Sequence, residues 1–327
     1  KKKIVSLKMN KNCSNTEVFA FVPSYNHAQF VEECLKSVFN QTLTPKKLLV
    51  IDDGSQDDSP KIIDRILKRC PFEAELVVRE NLGLSRTLNE GLAKTEGDYF
   101  AYIGSDDLWL PEFLAERIKL LDSRPKAVLA FGHSYLIDQS DLITDCTKNW
   151  TNYADGNMLP LLLKGIIPLS PSVVYRRSAL EKYGWNENSI LEDYELYLKL
   201  SKDGEFAFDH NIYCAWRQHG WNVSKDFSLM LNEWLEAQIR VAEHLNISSE
   251  ELQEIQSELK FNSAADLIRA GKKKEAVQLL VENLKYADSV SKVGKILLRL
   301  AIPTQIFQWN RKRKFDHSIK KFGKLEI

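Results

Sequence analysis

Twice in this chain an apolar run stops on two adjacent carboxylates. Tyr99-Phe100-Ala101-Tyr102-Ile103 leads into Gly104-Ser105-Asp106-Asp107, and Leu48-Leu49-Val50-Ile51 leads into Asp52-Asp53-Gly54-Ser55. Short apolar runs bounded by polar turns read as buried strands. An acid at the carboxyl end of such a strand faces the ligand crevice of an open α/β sheet. Hard divalent cations take oxygen ligands, so two acidic strand ends at one sheet edge point to a metal and nucleotide site. Either pair alone reads equally as a capping turn, since Asp is a good N-cap and turn residue.

The surroundings favour the sheet. Val18-Phe19-Ala20-Phe21-Val22 is an apolar run that stops at Pro23, and Phe30, Cys34, Leu35, Val38 and Phe39 follow at helical spacing. Ser59 and Pro60 suit the N-cap and first turn of a helix carrying Ile62, Ile63, Ile66 and Leu67. Leu76-Val77-Val78 reads as a third strand, Leu84 to Ala93 as a helix, and Tyr99–Ile103 as the fourth strand. A helix opened by Pro111 and a fifth strand at Ala127–Phe131 come next. Strands alternating with helices predict a mostly parallel, Rossmann-like α/β sheet with flanking helices. Its four carboxyl ends, at Pro23-Ser24-Tyr25-Asn26, Asp52–Ser55, Asn81-Leu82-Gly83 and Ser105–Asp107, are all polar.

Past about residue 225 only helical patterns remain. Trp234, Leu235, Ile239 and Ala242 form a stripe, and Gly271 separates two helices in the manner of one tetratricopeptide-type hairpin. The expected organisation is a basic N-terminal arm at 1–16, an α/β domain at 17–224 and an all-α C-terminal extension at 225–327. The 45 basic residues balance the 45 acidic ones, which removes a nucleic-acid-binding signature. Cys13, Cys34, Cys70, Cys146 and Cys214 are scattered and form no CxxC, arguing for reduced thiols in a cytoplasmic setting and against a zinc site. No apolar run reaches the ~20 residues of a membrane span. Near the end, Ile306, Phe307 and Trp309 precede Arg311-Lys312-Arg313-Lys314, with Lys320, Lys321 and Lys324 beyond. Apolar side chains interleaved with cations suit either an interfacial helix on the inner face of an anionic membrane or a helix packed on the protein body.

Six segments in order carry a resemblance to a known family. They are Pro23-Ser24-Tyr25-Asn26-His27; Val50-Ile51-Asp52-Asp53-Gly54-Ser55; Asn81 to Leu92; Gly97-Asp98-Tyr99 with Gly104-Ser105-Asp106-Asp107; Glu192-Asp193-Tyr194-Glu195-Leu196; and Trp216-Arg217-Gln218-His219. From about Val18 to Ser224 the chain resembles a family 2 glycosyltransferase of the GT-A fold. The resemblance implies an inverting, metal-dependent transfer from a nucleotide-diphosphate sugar, most simply a UDP-sugar. The acceptor would be a hydroxyl of a glycan or lipid-linked molecule, in bacterial surface-polysaccharide synthesis.

The resemblance also implies roles. Asp52 would accept from the ring N–H of a uracil-type base, with Pro23, Ser24 and Tyr25 flanking base and ribose. Asp53, Gly54, Asn81 and Gly83 would line the nucleotide pocket, and Arg86 would face the diphosphate unless it is a solvated helix-face residue. The family's Asp-x-Asp metal motif is reduced here, because Gly104 holds its first position. Asp106 is then the main ligand of Mn²⁺ or Mg²⁺, with Asp107 ligating or bonding to the sugar beside Ser105, and His219 approaching the ion or serving structurally. Asp193 is the expected general base, in the first turn of a helix whose positive end favours acids, and Glu192 positions groups next to it. Trp185 and Trp221 would stack on acceptor sugars or belong to the core. Two other readings compete: a catalytically silent GT-A scaffold, kept open by Gly104, and a nucleotidyltransferase, disfavoured because no Gly-rich basic loop follows the first strand.

Overall fold

The computed structural model describes residues 17–220, 226–287 and 289–326. The first half runs β1 (Val18–Ser24), α1 (Val31–Phe39), β2 (Lys47–Asp52), α2 (Ser59–Leu67), β3 (Glu73–Val78), α3 (Leu84–Lys94) and β4 (Tyr99–Tyr102). These strands pair in parallel in the order β3-β2-β1-β4. Every residue of β1 is buried, as expected for a strand covered by helices on both faces. Alternate residues enter different layers. Phe21, Leu49 and Phe100 pack with Leu88 and Leu92 of α3 on one face. Ala20, Val22, Leu48 and Val50 pack with α1 and α2 on the other. Because the chain crosses from β3 over β1 to β4, the strand order reverses at the β1/β4 boundary. The loops leaving β1 and β4 therefore meet at the point where open α/β sheets bind ligands.

The second half continues with β5 (Leu108–Trp109), α4 (Phe113–Ser123), β6 (Ala127–Ile137), β7 (Ile143–Cys146), α5 (Leu159–Leu162), β8 (Val174–Arg176), α6 (Arg177–Leu180), α7 (Glu192–Asp203) and β9 (Glu205–Arg217). Here the sheet becomes mixed. β8 lies antiparallel between β4 and β6, β9 runs parallel to β6, and β5 pairs antiparallel with β9. The expected fifth strand is present and longer than its apolar run, but it is not β4's neighbour. Three-residue β8, inserted between them, is too short to leave a periodic pattern.

Among the described residues five α-helices follow: α8 (Phe227–Leu245), α9 (Ser249–Arg269), α10 (Lys273–Asn283), α11 (Val290–Ala301) and α12 (Thr304–Phe322). Asp226 caps α8 by accepting from the Ser228 and Leu229 N–H groups. Leu231, Trp234 and Val241 of α8 share the core of the sheet, whereas Phe261, Ala264, Leu267, Ile268, Leu280 and Ile296 form a separate cluster among α9, α10 and α11. Gly271 sits at φ +85° between α9 and α10, where a glycine is needed to leave the helix. After α12 the chain returns to the sheet edge. The Ile143 N–H donates to the Gly323 carbonyl at 3.0 Å, the Leu325 N–H donates to the Asp141 carbonyl at 2.9 Å, and Leu325 is buried beside Leu108 and Ile143. No helix among the described residues is long and apolar enough to cross a membrane.

Candidate functional site

The loops after β1 and β2 are laced together before any ligand enters. The Asn26 N–H donates to Ser55 Oγ (2.8 Å), the Gln56 N–H to Asn26 Oδ1 (2.8 Å), the His27 N–H to Ser59 Oγ (3.0 Å) and the Ala28 N–H to Asp57 Oδ2 (2.9 Å). Asn26 takes up φ +54° to do so, a conformation Asn tolerates better than most residues. Both acids of the β2 turn are buried, and their partners lie within the protein. Asp52 accepts from the Ser55 N–H (2.8 Å) and hydroxyl (2.7 Å). Asp53 accepts from the Leu82 and Gly83 N–H groups at 2.8 and 2.9 Å and pairs with Arg79. Arg79 in turn reaches Glu90 (2.8 Å) and Thr87 Oγ1 (2.7 Å). The carboxylates of Asp52 and Asp53, expected at the base and in the pocket lining, hold loops 52–55 and 79–83 in shape. Gly54 is required there, since a Cβ at its φ of +77° would meet Asn81 N at 2.6 Å.

Other expected nucleotide contacts divide between wall and rim. Pro23 and Ser24 are buried at the end of β1, while Tyr25 and Asn81 are exposed. Gly83 opens α3 at φ +91° with nothing within 4 Å of where a Cβ would be, leaving room for close approach. Arg86 is exposed and engaged with Glu187 at 2.9 Å.

At the end of β4 the structure brings together residues from three distant segments. Asp106 Oδ2 accepts from His219 Nε2 at 2.8 Å, and its Oδ1 lies 3.7 Å from His27 Nδ1. His27 Nδ1 is also 2.8 Å from Ser105 Oγ. Ligand atoms of His27, Asp106 and His219 all lie within 4.8 Å of one another. Burial would raise the Asp106 carboxyl, but the His219 hydrogen bond and the two imidazoles hold it below its ordinary range. Burial pushes His27 down, against the pull of Asp106, which favours the neutral, ligand-ready ring.

Asp107 is placed differently from Asp106. It is buried, and its Oδ1 accepts the Arg217 N–H at 2.7 Å, so it faces β9 rather than the imidazoles. Burial first and the Asp106 charge second push it well above the ordinary carboxylate range. Arg217, fully buried, donates from Nε to the Asp106 carbonyl (2.7 Å) and from Nη1 to Asp141 Oδ1 (2.6 Å). Its guanidinium lies 4.7 Å from the Phe30 ring centroid, and Phe30 stacks on His219 at 5.5 Å. Lys324 from the chain end pairs with the other Asp141 oxygen at 3.1 Å, so the terminus braces the same network.

Across the sheet edge, α7 begins with Glu192, Asp193 and Glu195 in its first turn. Glu195 is engaged by Lys199 (2.7 Å), Arg240 (2.7 Å) and Asn186 (2.8 Å). Asp193 is different: burial, then the Glu192 charge, raise it well above the usual range, and burial raises Glu192 as well. Its surroundings are tyrosines. Tyr102, the last residue of β4, stacks on Tyr175 (6.3 Å), which stacks on Tyr197 (6.4 Å), and Asp193 contributes to raising all three phenols. Tyr102 therefore ties α7 to the strand end that carries Asp106. Trp185 takes the core alternative: it is 3% exposed and meets Tyr102 and Tyr175 edge-on. Trp221 lies outside the described residues.

Sequence reasoning gave no role to His27, Arg217 or the tyrosine stack. His27 had a visible signal, a metal-binding side chain at a strand end in a chain whose Asp-x-Asp motif lacks its first acid. Arg217 and the tyrosines had none, because only burial distinguishes them from surface residues.

Comparison with known proteins bears on the family and the fold. The model of the family described as glycosyl transferase family 2 matches residues 19–184, a little over half of the chain. An uncharacterised glycosyltransferase of Rickettsia prowazekii is 27% identical over 69% of this chain and 71% of its own length. The chondroitin synthase of Escherichia coli is 26% identical over 63% of this chain but only 30% of its own length. Among solved structures, the mannosyltransferase PcManGT from Pyrobaculum calidifontis, in complex with GDP-Man and Mn²⁺, superposes with a TM-score of 0.60 over 94% of this chain and 87% of its own, at 17% identity. TarS of S. aureus in complex with UDP-GlcNAc gives 0.56 over 93% and 92%, at 15% identity. At these identities the structural likeness speaks for the fold.

Proposed function

Since the chain belongs to glycosyl transferase family 2, we propose that it is an inverting glycosyltransferase that moves a sugar from a nucleotide-diphosphate donor to an acceptor hydroxyl with Asp193 as base. One observation carries this reading: Asp193 is buried in the first turn of α7 beside Glu192, and the Tyr197, Tyr175 and Tyr102 stack links α7 to β4, whose following loop carries Asp106; burial raises the proton affinity of Asp193. A general base works best when its proton affinity is lifted toward the working pH. Asp193 takes the proton of the acceptor hydroxyl as that oxygen bonds to the anomeric carbon. The bond from that carbon to the diphosphate oxygen breaks, configuration inverts and the nucleoside diphosphate leaves. Glu192 beside it keeps Asp193 basic by like-charge repulsion.

Asp106 and His219 offer a carboxylate and an imidazole within the reach of a single ion, donors that fit a divalent metal. Bound there, Mn²⁺ or Mg²⁺ would stabilise charge on the departing diphosphate. Tyr25, Asn81 and Gly83 form the rim against which the nucleoside rests, and Arg86 can leave Glu187 to meet phosphate. A UDP-sugar is the donor we favour, in keeping with the UDP-GlcNAc held by TarS. A glycan or lipid-linked acceptor of surface polysaccharide is the favoured substrate, in keeping with the chondroitin synthase likeness. Exposed Ile306 and Trp309 on α12, with Arg313 over the Trp309 ring at 5.3 Å, support peripheral contact with anionic lipid on the cytoplasmic side. The test is release of nucleoside diphosphate from a panel of UDP- and GDP-sugars with Mn²⁺ and simple acceptors. Release above the rate of an Asp193→Asn variant is expected. Donor binding without turnover on every acceptor would favour the silent-scaffold reading.

A further inference from the structure

We propose that His27 is a ligand of the divalent cation, taking the place left by the missing acid at position 104, so that the ion sits between two imidazoles and one carboxylate and is selected as Mn²⁺ over Mg²⁺. The inference rests on the metal-dependent reading above and adds to it both a residue and a selectivity.

Three features of the site lead here. First, position 104 offers no ligand, because it is a glycine, and a side chain there would displace the Asp106 carboxylate. A Cβ there would lie 2.8 Å from Asp106 Oδ1 and 3.4 Å from Asp107 Oδ2, so Asp106 occupies the space an acid at 104 would need. A neighbouring strand must then supply the further ligand, and the next strand is β1, whose following loop carries His27. Second, the spacing is slightly wider than that of a shared ion, so small side-chain shifts would close it. Two donors each roughly 2.1 Å from one metal and 90–120° apart lie roughly 3.0–3.6 Å from each other. His27 Nδ1 stands 3.7 Å from Asp106 Oδ1, too far for a hydrogen bond, and the full group fits within 4.8 Å. His219 Nε2 donates a proton to Asp106 Oδ2 at 2.8 Å; metal binding replaces that proton.

Third, His27 is held in place. Its N–H is tied to Ser59 Oγ at 3.0 Å, and Phe30 and His219 flank it edge-on at 6.1 and 5.5 Å; its Nδ1 lies 2.8 Å from Ser105 Oγ, a contact that metal binding at that nitrogen would replace. Phe30 itself is clamped by Arg217. Such support around a ligand is what a metal site needs to keep its geometry. The selectivity then follows from donor chemistry. Mg²⁺ binds oxygen and gives up its water reluctantly, whereas imidazole nitrogen favours transition metals.

The experiment uses the intact chain with metal alone, followed by calorimetry and by pulsed Mn²⁺ paramagnetic resonance, with circular dichroism to show that each variant is folded. The parent is expected to bind Mn²⁺ at least ~10-fold more tightly than Mg²⁺ and to show couplings from two nitrogens. His27→Ala should lose at least ~10-fold in Mn²⁺ affinity and one nitrogen coupling. His27→Asp should keep binding while moving selectivity toward Mg²⁺. If His27→Ala retains parental affinity and both couplings while Asp106→Ala abolishes binding, the proposal falls and the metal-dependent reading stands. If the parent binds Mn²⁺ no better than Asp106→Ala, that reading falls and takes the proposal with it.

Discussion

Replacing Asp193 with Asn should slow the enzyme and strengthen its fold at the same time. The carboxylate is buried at the start of α7, beside Glu192 and over the stacked rings of Tyr102, Tyr175 and Tyr197. Burial and the Glu192 charge raise its proton affinity, against the smaller opposing pull of the Asp193 and Tyr194 N–H groups. In the unfolded chain an Asp titrates near 3.9. The folded state thus holds this proton more tightly than the unfolded state does. The resulting stabilisation is complete below pH ~3.9 and is lost as pH rises through the raised folded value. At pH 7–8 an ionised Asp193 is a net cost, and an Asn of the same shape removes it. The Asn variant should therefore melt above the parent at pH 8, with the gap closing toward pH 4. For a chain of this size each kcal/mol corresponds to about 2 °C. Loss of a general base costs a factor on the order of 10²–10⁴ in turnover, or about 2.7–5.4 kcal/mol of barrier, with donor binding nearly unchanged. Melting curves across pH, nucleotide release and donor calorimetry read all three quantities. Turnover near the parental rate would remove Asp193 from the chemistry. A melting difference that does not change between pH 4 and pH 8 would refute the electrostatic account.

Asp106→Ala should leave the melting temperature within a few degrees of the parent and abolish the metal-dependent part of nucleotide-diphosphate binding, read by calorimetry with and without Mn²⁺; equal binding in both conditions for parent and variant would count against the site. Gly91→Ala places a methyl 2.6–2.7 Å from ring atoms of the fully buried Phe21, and such overpacking should cost about 1–3 kcal/mol in urea unfolding; a neutral result would mean the ring has room to move. Ile306→Ser with Trp309→Ser should weaken co-sedimentation with anionic vesicles, and changing Arg311, Lys312, Arg313 and Lys314 to Gln should remove its salt sensitivity at about 1 kcal/mol per charge. These substitutions are preferred to truncation, because Gly323 and Leu325 are bonded to Ile143 and Asp141; binding that survives them and ignores lipid charge would place α12 on the protein body.

Much of the fold was legible because its signals are local. The strands β1, β2 and β4 and the helices α1, α2 and α3 appear where short apolar runs and helical periodicity put them. The acidic pair that opens α7 and the Gly271 break between α9 and α10 were equally visible. β8 was not, and neither was its position between β4 and β6, because strand pairing depends on residues far apart in sequence. The site divides the same way. Motif order identified the segments that converge, whereas it did not show which neighbours engage Asp52, Asp53, Asp107 and Trp185. Each of these is a polar or amphipathic residue in a recognisable segment whose side chain is consumed by neighbours: Ser55, Leu82 and Gly83, Arg217, and the tyrosine rings.

By itself, then, the sequence determined the alternation of strand and helix, the polar strand ends and the presence of an Asp at 193 in a helix's first turn, since apolar period and turn chemistry act over a few residues. Only the tertiary structure decided which neighbours each of those acids is bonded to. It also decided that His27, Asp106 and His219, from three separate segments, stand within reach of one ion. Burial and hydrogen-bond partners set a side chain's charge and availability, and both come from residues tens to hundreds of positions away.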